Sequence, residues 1–327
     1  MTIFGQDRAI GQFTEAWATR RLHHAWLLAG PKGVGKASFA AAAARRVLAE
    51  AAGPVFDLPD LESPADHPMV RLIDAGSHPD MRWLQRLPKE KGEGLARDIT
   101  VDQVRKLGEF LGMSAAMSDW RVAVVDAMDD MAGPGANALL KMLEEPPPKT
   151  LFLLVSHAPG RLLPTIRSRC RRLEFQPLDD AAMAAVLTVQ APTLSAAERT
   201  KIAGMAFGSA GRALALAELD LAKLEDQAVI ILRQGDPTNK RRSELASELG
   251  KKNSADRYAA FLYLAPSLIA REARRLDGDP RERALEAYGK ARELAAIAPR
   301  LMLDPAATVF QLGGFLAAVP DARSLKR

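Results

Sequence analysis

The apolar run Ala25 to Ala29 passes directly into Gly30-Pro31-Lys32-Gly33-Val34-Gly35-Lys36-Ala37, and a helix-forming stretch, Phe39 to Glu50, follows. Strand, glycine-rich turn and helix in that order are the setting of the phosphate-binding loop, whose pattern is G-x-x-x-x-G-K-[ST]. Its glycines let backbone N–H groups close around phosphate oxygens, its lysine reaches the terminal phosphates, and its last hydroxyl ligates Mg²⁺. Every position fits except the last, where Ala37 has no hydroxyl. Gly30 through Ala37 are therefore the candidate nucleotide-binding residues, a plain glycine-rich turn being the alternative.

Four further strand candidates, Met81 to Leu87, Arg121 to Asp126, Leu151 to Ser156 and Arg172 to Phe175, are separated by helical segments. This alternation predicts an α/β fold on a parallel sheet. Thr100 followed by Gln103 reads as a capping box, opening a helix with Val101, Val104, Leu107 and Leu111 on one face. Asn137 to Glu144 has helical spacing and stops at Pro146-Pro147-Pro148, which cannot continue a helix. Gly53 to Pro79, rich in Pro, Asp and Gly, reads as an irregular insertion. Beyond Pro177 the chain is Ala- and Leu-rich with no strand signal, so a small helical unit over 177–218 and a larger one over 219–327 are expected after a 1–176 P-loop domain.

The chain has 327 residues, 48% of them apolar, enough for packed cores in two or three domains. No apolar run approaches the roughly 20 residues of a membrane span, and the first residues lack an export signal, so a cytoplasmic location is expected. A single cysteine, Cys170, rules out an internal disulfide and any cysteine-rich metal module. The net charge of +5 decides little by itself. Arg167, Arg169, Arg171 and Arg172 form one basic group, and Lys240, Arg241, Arg242, Lys251 and Lys252 another. A solvated face and a polyanion contact account for each equally well.

Val122 to Val125 lead into Asp126, the strand-end carboxylate that helps hold Mg²⁺ in P-loop hydrolases. The position after it, where many such enzymes carry a glutamate base, is Ala127. Asp129 and Asp130 lie further on and read as solvent-facing helix residues, a substitute for the missing base being the alternative. With both Mg²⁺ hydroxyl and base absent, nucleotide binding is conceivable but hydrolysis by this chain is expected to be negligible.

Leu162-Leu163-Pro164-Thr165-Ile166-Arg167-Ser168-Arg169-Cys170 resembles the Ser-Arg-Cys region of clamp-loader AAA+ proteins. Phe4-Gly5-Gln6, His24 to Leu28, Ser77-His78-Pro79-Asp80, Asn137 to Lys141 with Glu144-Glu145-Pro146, and Gly208 to Ala213 agree with that family in order and spacing. Leu303-Asp304-Pro305 resembles part of its helical collar. The resemblance implies an AAA+ domain, a helical lid and a collar domain that joins a five-membered ring. Its implied partners are gamma/tau motor subunits, delta, the sliding clamp and primed DNA, with no membrane.

On that resemblance Arg169 is an arginine finger acting on ATP held by a neighbour. Arg212 matches the lid arginine that senses nucleotide in its own subunit, and Asp126 the acidic strand end. Ser156 sits where the family often has a polar residue, although a strand-terminal hydroxyl bonding to backbone explains it equally well. Many family members carry a four-cysteine zinc module where Gly53 to Pro79 runs here. Asp66, His67 and His78 do not reproduce a ligand spacing, so no metal site is expected and helix packing must hold that segment. The expected role is a non-catalytic ring subunit within a DNA-directed DNA polymerase complex, with ATP or ADP at most weakly bound. A working AAA+ motor ATPase and a small-molecule P-loop kinase are the alternatives.

Overall fold

A computed structural model describes residues 2–89, 94–219, 221–299 and 301–319. Five parallel strands, β1 (Ala25–Ala29), β2 (Met81–Gln85), β3 (Arg121–Asp126), β4 (Thr150–Ser156) and β5 (Arg171–Glu174), lie in the order β2-β3-β4-β1-β5. All five follow the strand candidates to within a residue or two. The three central strands are buried on both faces, which is why they read as continuous apolar runs. Trp26, Leu28, Val122, Val124, Leu151, Leu153 and Val155 face one core, while Leu27, Ala29, Ala123, Val125, Phe152 and Leu154 alternate into the other.

Helices α1 (Asp7–Ala18) and α2 (Lys36–Ala52) cover the first face through Phe13 and Phe39, the latter edge-on to Phe175. α3 (Pro68–Asp74) lies beside α2, and α4 (Val101–Gly112), α5 (Gly133–Glu144) and α6 (Pro164–Arg167) cover the second face. The capping box of α4 is formed: Gln103 N donates to Thr100 Oγ1 at 3.3 Å, and Thr100 N to Gln103 Oε1 at 3.0 Å. Val104, Leu107 and Leu111 are buried with Phe110, Val101 only half so. α5 ends before the triple proline as expected.

The insertion is less irregular than its composition suggests, because α3 lies within it. Its cap is His67, whose Nδ1 accepts from Met69 N at 3.3 Å, with Pro68 at the first turn. Helix packing is also not the only thing that holds this segment. Arg46, buried on α2, donates to the carbonyls of Phe56 (2.9 Å), Leu58 (3.2 Å) and Glu62 (2.7 Å). Its Nε lies 2.7 Å from Glu50 Oε1, which also accepts from Phe56 N, while Trp17 Nε1 donates to Glu50 Oε2.

After β5 the described residues are helical: α7 (Asp180–Gln190), α8 (Ala196–Ala206), α9 (Ala210–Ala217), α10 (Leu221–Gln234), α11 (Lys240–Leu249), α12 (Ala255–Ala273), α13 (Gly278–Ile297) and α14 (Pro305–Ala317). The chain packs as two compact units, Met1–Pro192 with Phe207–Gly211, and Thr193–Ala206 with Arg212–Arg327. The 177–218 segment thus contributes to both. In the second unit α13 buries Ala284, Ala287, Ala291 and Leu294, a spacing that puts small residues on one face against α12 and α14. Among the described residues no helix is long and apolar enough to cross a membrane.

Candidate functional site

β1, between β4 and β5 in the sheet, delivers the chain to a loop at its end, and α2 leaves that loop from Lys36. Gly35, the residue before the helix, has φ +100°, a conformation that favours glycine. Gly33 is required for space as well, since a Cβ there would lie 2.3 Å from Ser209 Oγ. The loop is braced within the first unit from two sides. Gln6, buried, donates through Nε2 to the carbonyls of Val34 (3.2 Å) and Gln176 (2.8 Å). Gly211 N donates to Gly33 O at 2.9 Å, and Ser209 Oγ to Lys32 O at 3.1 Å. Gln6 and Ser209 stand in the sequence only within stretches that agree with the resembled family; nothing there signals that they clamp the loop.

Lys36 is buried, and its Nζ donates to the carbonyl oxygens of Gly30 (2.7 Å) and Pro31. Burial draws its pKa from 10.5 down to about 8, against the opposing pull of Asp129 and Asp126. Asp126, half-buried at the end of β3, has its carboxyl held above the usual range, again by burial, with His157 and Lys36 opposing. His157, next in the chain after β4, is kept below its ordinary value by burial and then by Lys36. The P-loop, Lys36 and Asp126 are thus brought to one end of the sheet.

Asp129 is exposed, as its sequence context suggested, but its carboxylate is engaged. In the 3-10 turn Met128–Asp130 it accepts from Ser156 Oγ (3.0 Å), His157 N (2.6 Å) and Ala158 N (2.9 Å). Ser156 accordingly bonds to this side chain rather than to backbone. Asp130 pairs with Arg86 at 3.0 Å. The donor set therefore fits phosphate oxygens, through loop N–H groups and Lys36, and fits a metal-activated hydrolytic site poorly. Ala37 and the buried Ala127 have no polar side-chain atom to offer, and Asp129 is committed to the β4 turn. Among the described residues no group of three or more His, Cys, Asp or Glu is placed to hold a metal ion.

Arg169 follows α6 at the sheet's β5 side. Its Nη2 lies 2.7 Å from Glu144 Oε1, and its Nη1 donates to Thr165 O at 3.0 Å. The other arginines of that group have different surroundings: Arg171 lies over the Trp26 ring, and Arg172 pairs with Glu174. Cys170, half-buried, has its thiol pushed up to about 12 by burial and is inert at neutral pH. Arg212 belongs to the second unit, where its guanidinium carbon lies 3.6 Å from the centre of the Tyr263 ring on α12.

A protein family described as DNA polymerase III, delta subunit, matches residues 5–179. A Pseudomonas aeruginosa protein named DNA polymerase III subunit delta' is 39% identical over 159 residues, 49% of this chain and 44% of that one. The Escherichia coli protein of the same name is 34% identical over 205 residues, 61% of this chain and 56% of that one. Bacillus subtilis DNA polymerase III subunit tau is 29% identical over 264 residues, 78% of this chain and 44% of that one. The chain spans about half the length of the curated relatives it matches. Among solved structures, a Thermotoga maritima gamma subunit-related protein aligns at 19% identity with a TM-score of 0.44, over 94% of this chain and 98% of that one.

Proposed function

The chain belongs to the DNA polymerase III, delta subunit family, and from that premise we propose that it is a non-hydrolysing, delta-prime-type member of a bacterial clamp loader. In this role it helps load the sliding clamp onto primed DNA, in a five-membered ring with gamma/tau motor subunits and delta. Relatives named delta' at 34–39% identity support the assignment. The observation that carries it is one site that combines a braced phosphate cradle with Ala37 and Ala127, where a motor needs its metal hydroxyl and its base. The working-motor alternative asks both residues to do what a methyl group cannot. A helical tail longer than a hundred residues suits an assembly surface better than it suits a small-molecule kinase.

In this reading the cradle, with Asp126 beside it, holds ATP or ADP weakly or as a relic, and the lid (177–218) carries Arg212 as the residue that answers to it. The collar (219–327) joins the ring. Chemistry occurs on a motor neighbour, into whose site Arg169 extends a guanidinium. That group is charged at all working pH values, offers a fixed fork of donors and neutralises charge developing on the γ-phosphoryl. No zinc is required, because Cys170 is the sole thiol; about one zinc per chain surviving chelator dialysis would overturn this.

The test is DNA-dependent ATPase and clamp loading by reconstituted rings carrying the natural chain, Arg169→Ala or Arg172→Ala. Arg169→Ala is expected to leave assembly intact and to slow one motor site by up to the roughly 10³ to 10⁵ such fingers supply. Total turnover falls less, since the other sites keep their own fingers. Equal effects of both substitutions would reduce Arg169 to general basic charge.

A further inference from the structure

α5 ends at Glu144, with Glu145 and then Pro146 to Pro148 directly after it. Two carboxylates thus stand at the end of a helix whose dipole is already negative there, an arrangement that is unfavourable unless a cation answers it. Arg169 does so. Glu144 Oε1 takes one arm of its guanidinium at 2.7 Å, and the Thr165 carbonyl takes the other at 3.0 Å. The frame behind this pair is rigid, because Leu139 and Leu143 of α5 and Ile166 of α6 are buried in one core. The pair itself stays reachable, with side-chain exposures of 35% for Arg169 and 42% for Glu144. Arg172, by contrast, pairs with Glu174 of its own strand, so its anchor moves with it.

An unrestrained arginine gives up rotamer entropy when it docks, and one already clamped on two sides gives up less. We propose that Glu144 is the positioning residue of Arg169: it fixes the guanidinium on the surface so that its unused N–H groups meet the neighbouring subunit's phosphate without a search. This rests on the reading of Arg169 as a finger supplied in trans. The opposite role, a clamp that sequesters Arg169 and must let go before it acts, predicts the opposite sign.

The test uses complete rings on primed DNA in which the motor subunits' own finger arginines are replaced by alanine, so that the remaining turnover reports the site served by Arg169. Glu144→Ala is expected to lower kcat there by about 3- to 100-fold with KM little changed, and Glu144→Gln, which keeps an acceptor oxygen, to recover part of the loss. In an Arg169→Ala background Glu144→Ala should add nothing, whereas a merely structural role would add its own loss. Unchanged or faster turnover in Glu144→Ala, or additive losses in the double variant, overturns the proposal while leaving the finger reading in place. Unchanged turnover in Arg169→Ala alone overturns both.

Discussion

Ser156 Oγ donates to Asp129 Oδ1 at 3.0 Å, tying the end of β4 to the turn after β3 across 27 residues of sequence. The same carboxylate also receives the N–H groups of His157 and Ala158. Asp129→Ala would leave those donors to water, with a loss of about 1–2 kcal/mol and a fall in thermal midpoint of about 2–6 °C. Circular dichroism melting checks this. A midpoint equal to that of the natural chain would show that the triple acceptor contributes no stability.

Arg46 and Glu50 are both buried, and each holds the chain after α2 as well as the other. Removing one member strands the other's charge, so Arg46→Ala is expected to cost about 3 kcal/mol or more and to open the segment between residues 53 and 67 to protease. Replacing both with apolar side chains of similar volume also frees the carbonyls and N–H groups they hold, so it should cost more than either single change but less than the sum of the two. Limited proteolysis followed by mass spectrometry reads both effects; a double variant that costs the full sum would contradict the buried-pair account.

Lys36 carries a pH signature. Its folded value is about 8 against an ordinary 10.5, so between those limits the unfolded chain binds more protons than the folded one. Stability must then rise with pH across that window as the buried amine sheds its charge. Compared with Lys36→Met, the natural chain should gain stability from pH 8 towards 10 in urea unfolding. No relative change over the same range would mean that the lysine is better solvated than its burial implies, and a relative loss that its charged form is favoured in the folded chain.

The sheet was legible because β1, β3 and β4 are covered on both faces and therefore write themselves as unbroken apolar runs, and because the capping box of α4 and the prolines after α5 are local signals. What stayed hidden depends on partners distant in sequence. α3 was obscured by a cap, His67, of a residue type that seldom caps. The engagement of Asp129 was hidden because its three donors lie beyond α5 in the sequence. Arg46 carries no signal in the sequence, since the carbonyls it holds come from a segment with little periodicity. Arg169 stood out only through family resemblance; its pairing with Glu144, 25 residues earlier, carries no sequence signature.

Steady-state ATP turnover by the purified chain, with Lys36→Ala measured beside it, bears most directly on the claim that this subunit assists hydrolysis without performing it. Ala37 has no side-chain hydroxyl for Mg²⁺ and Ala127 no side-chain group to activate water, so the expected rate is indistinguishable from background in both proteins. A clear turnover that disappears in Lys36→Ala would contradict the account, for it would mean that this phosphate cradle hydrolyses nucleotide by itself.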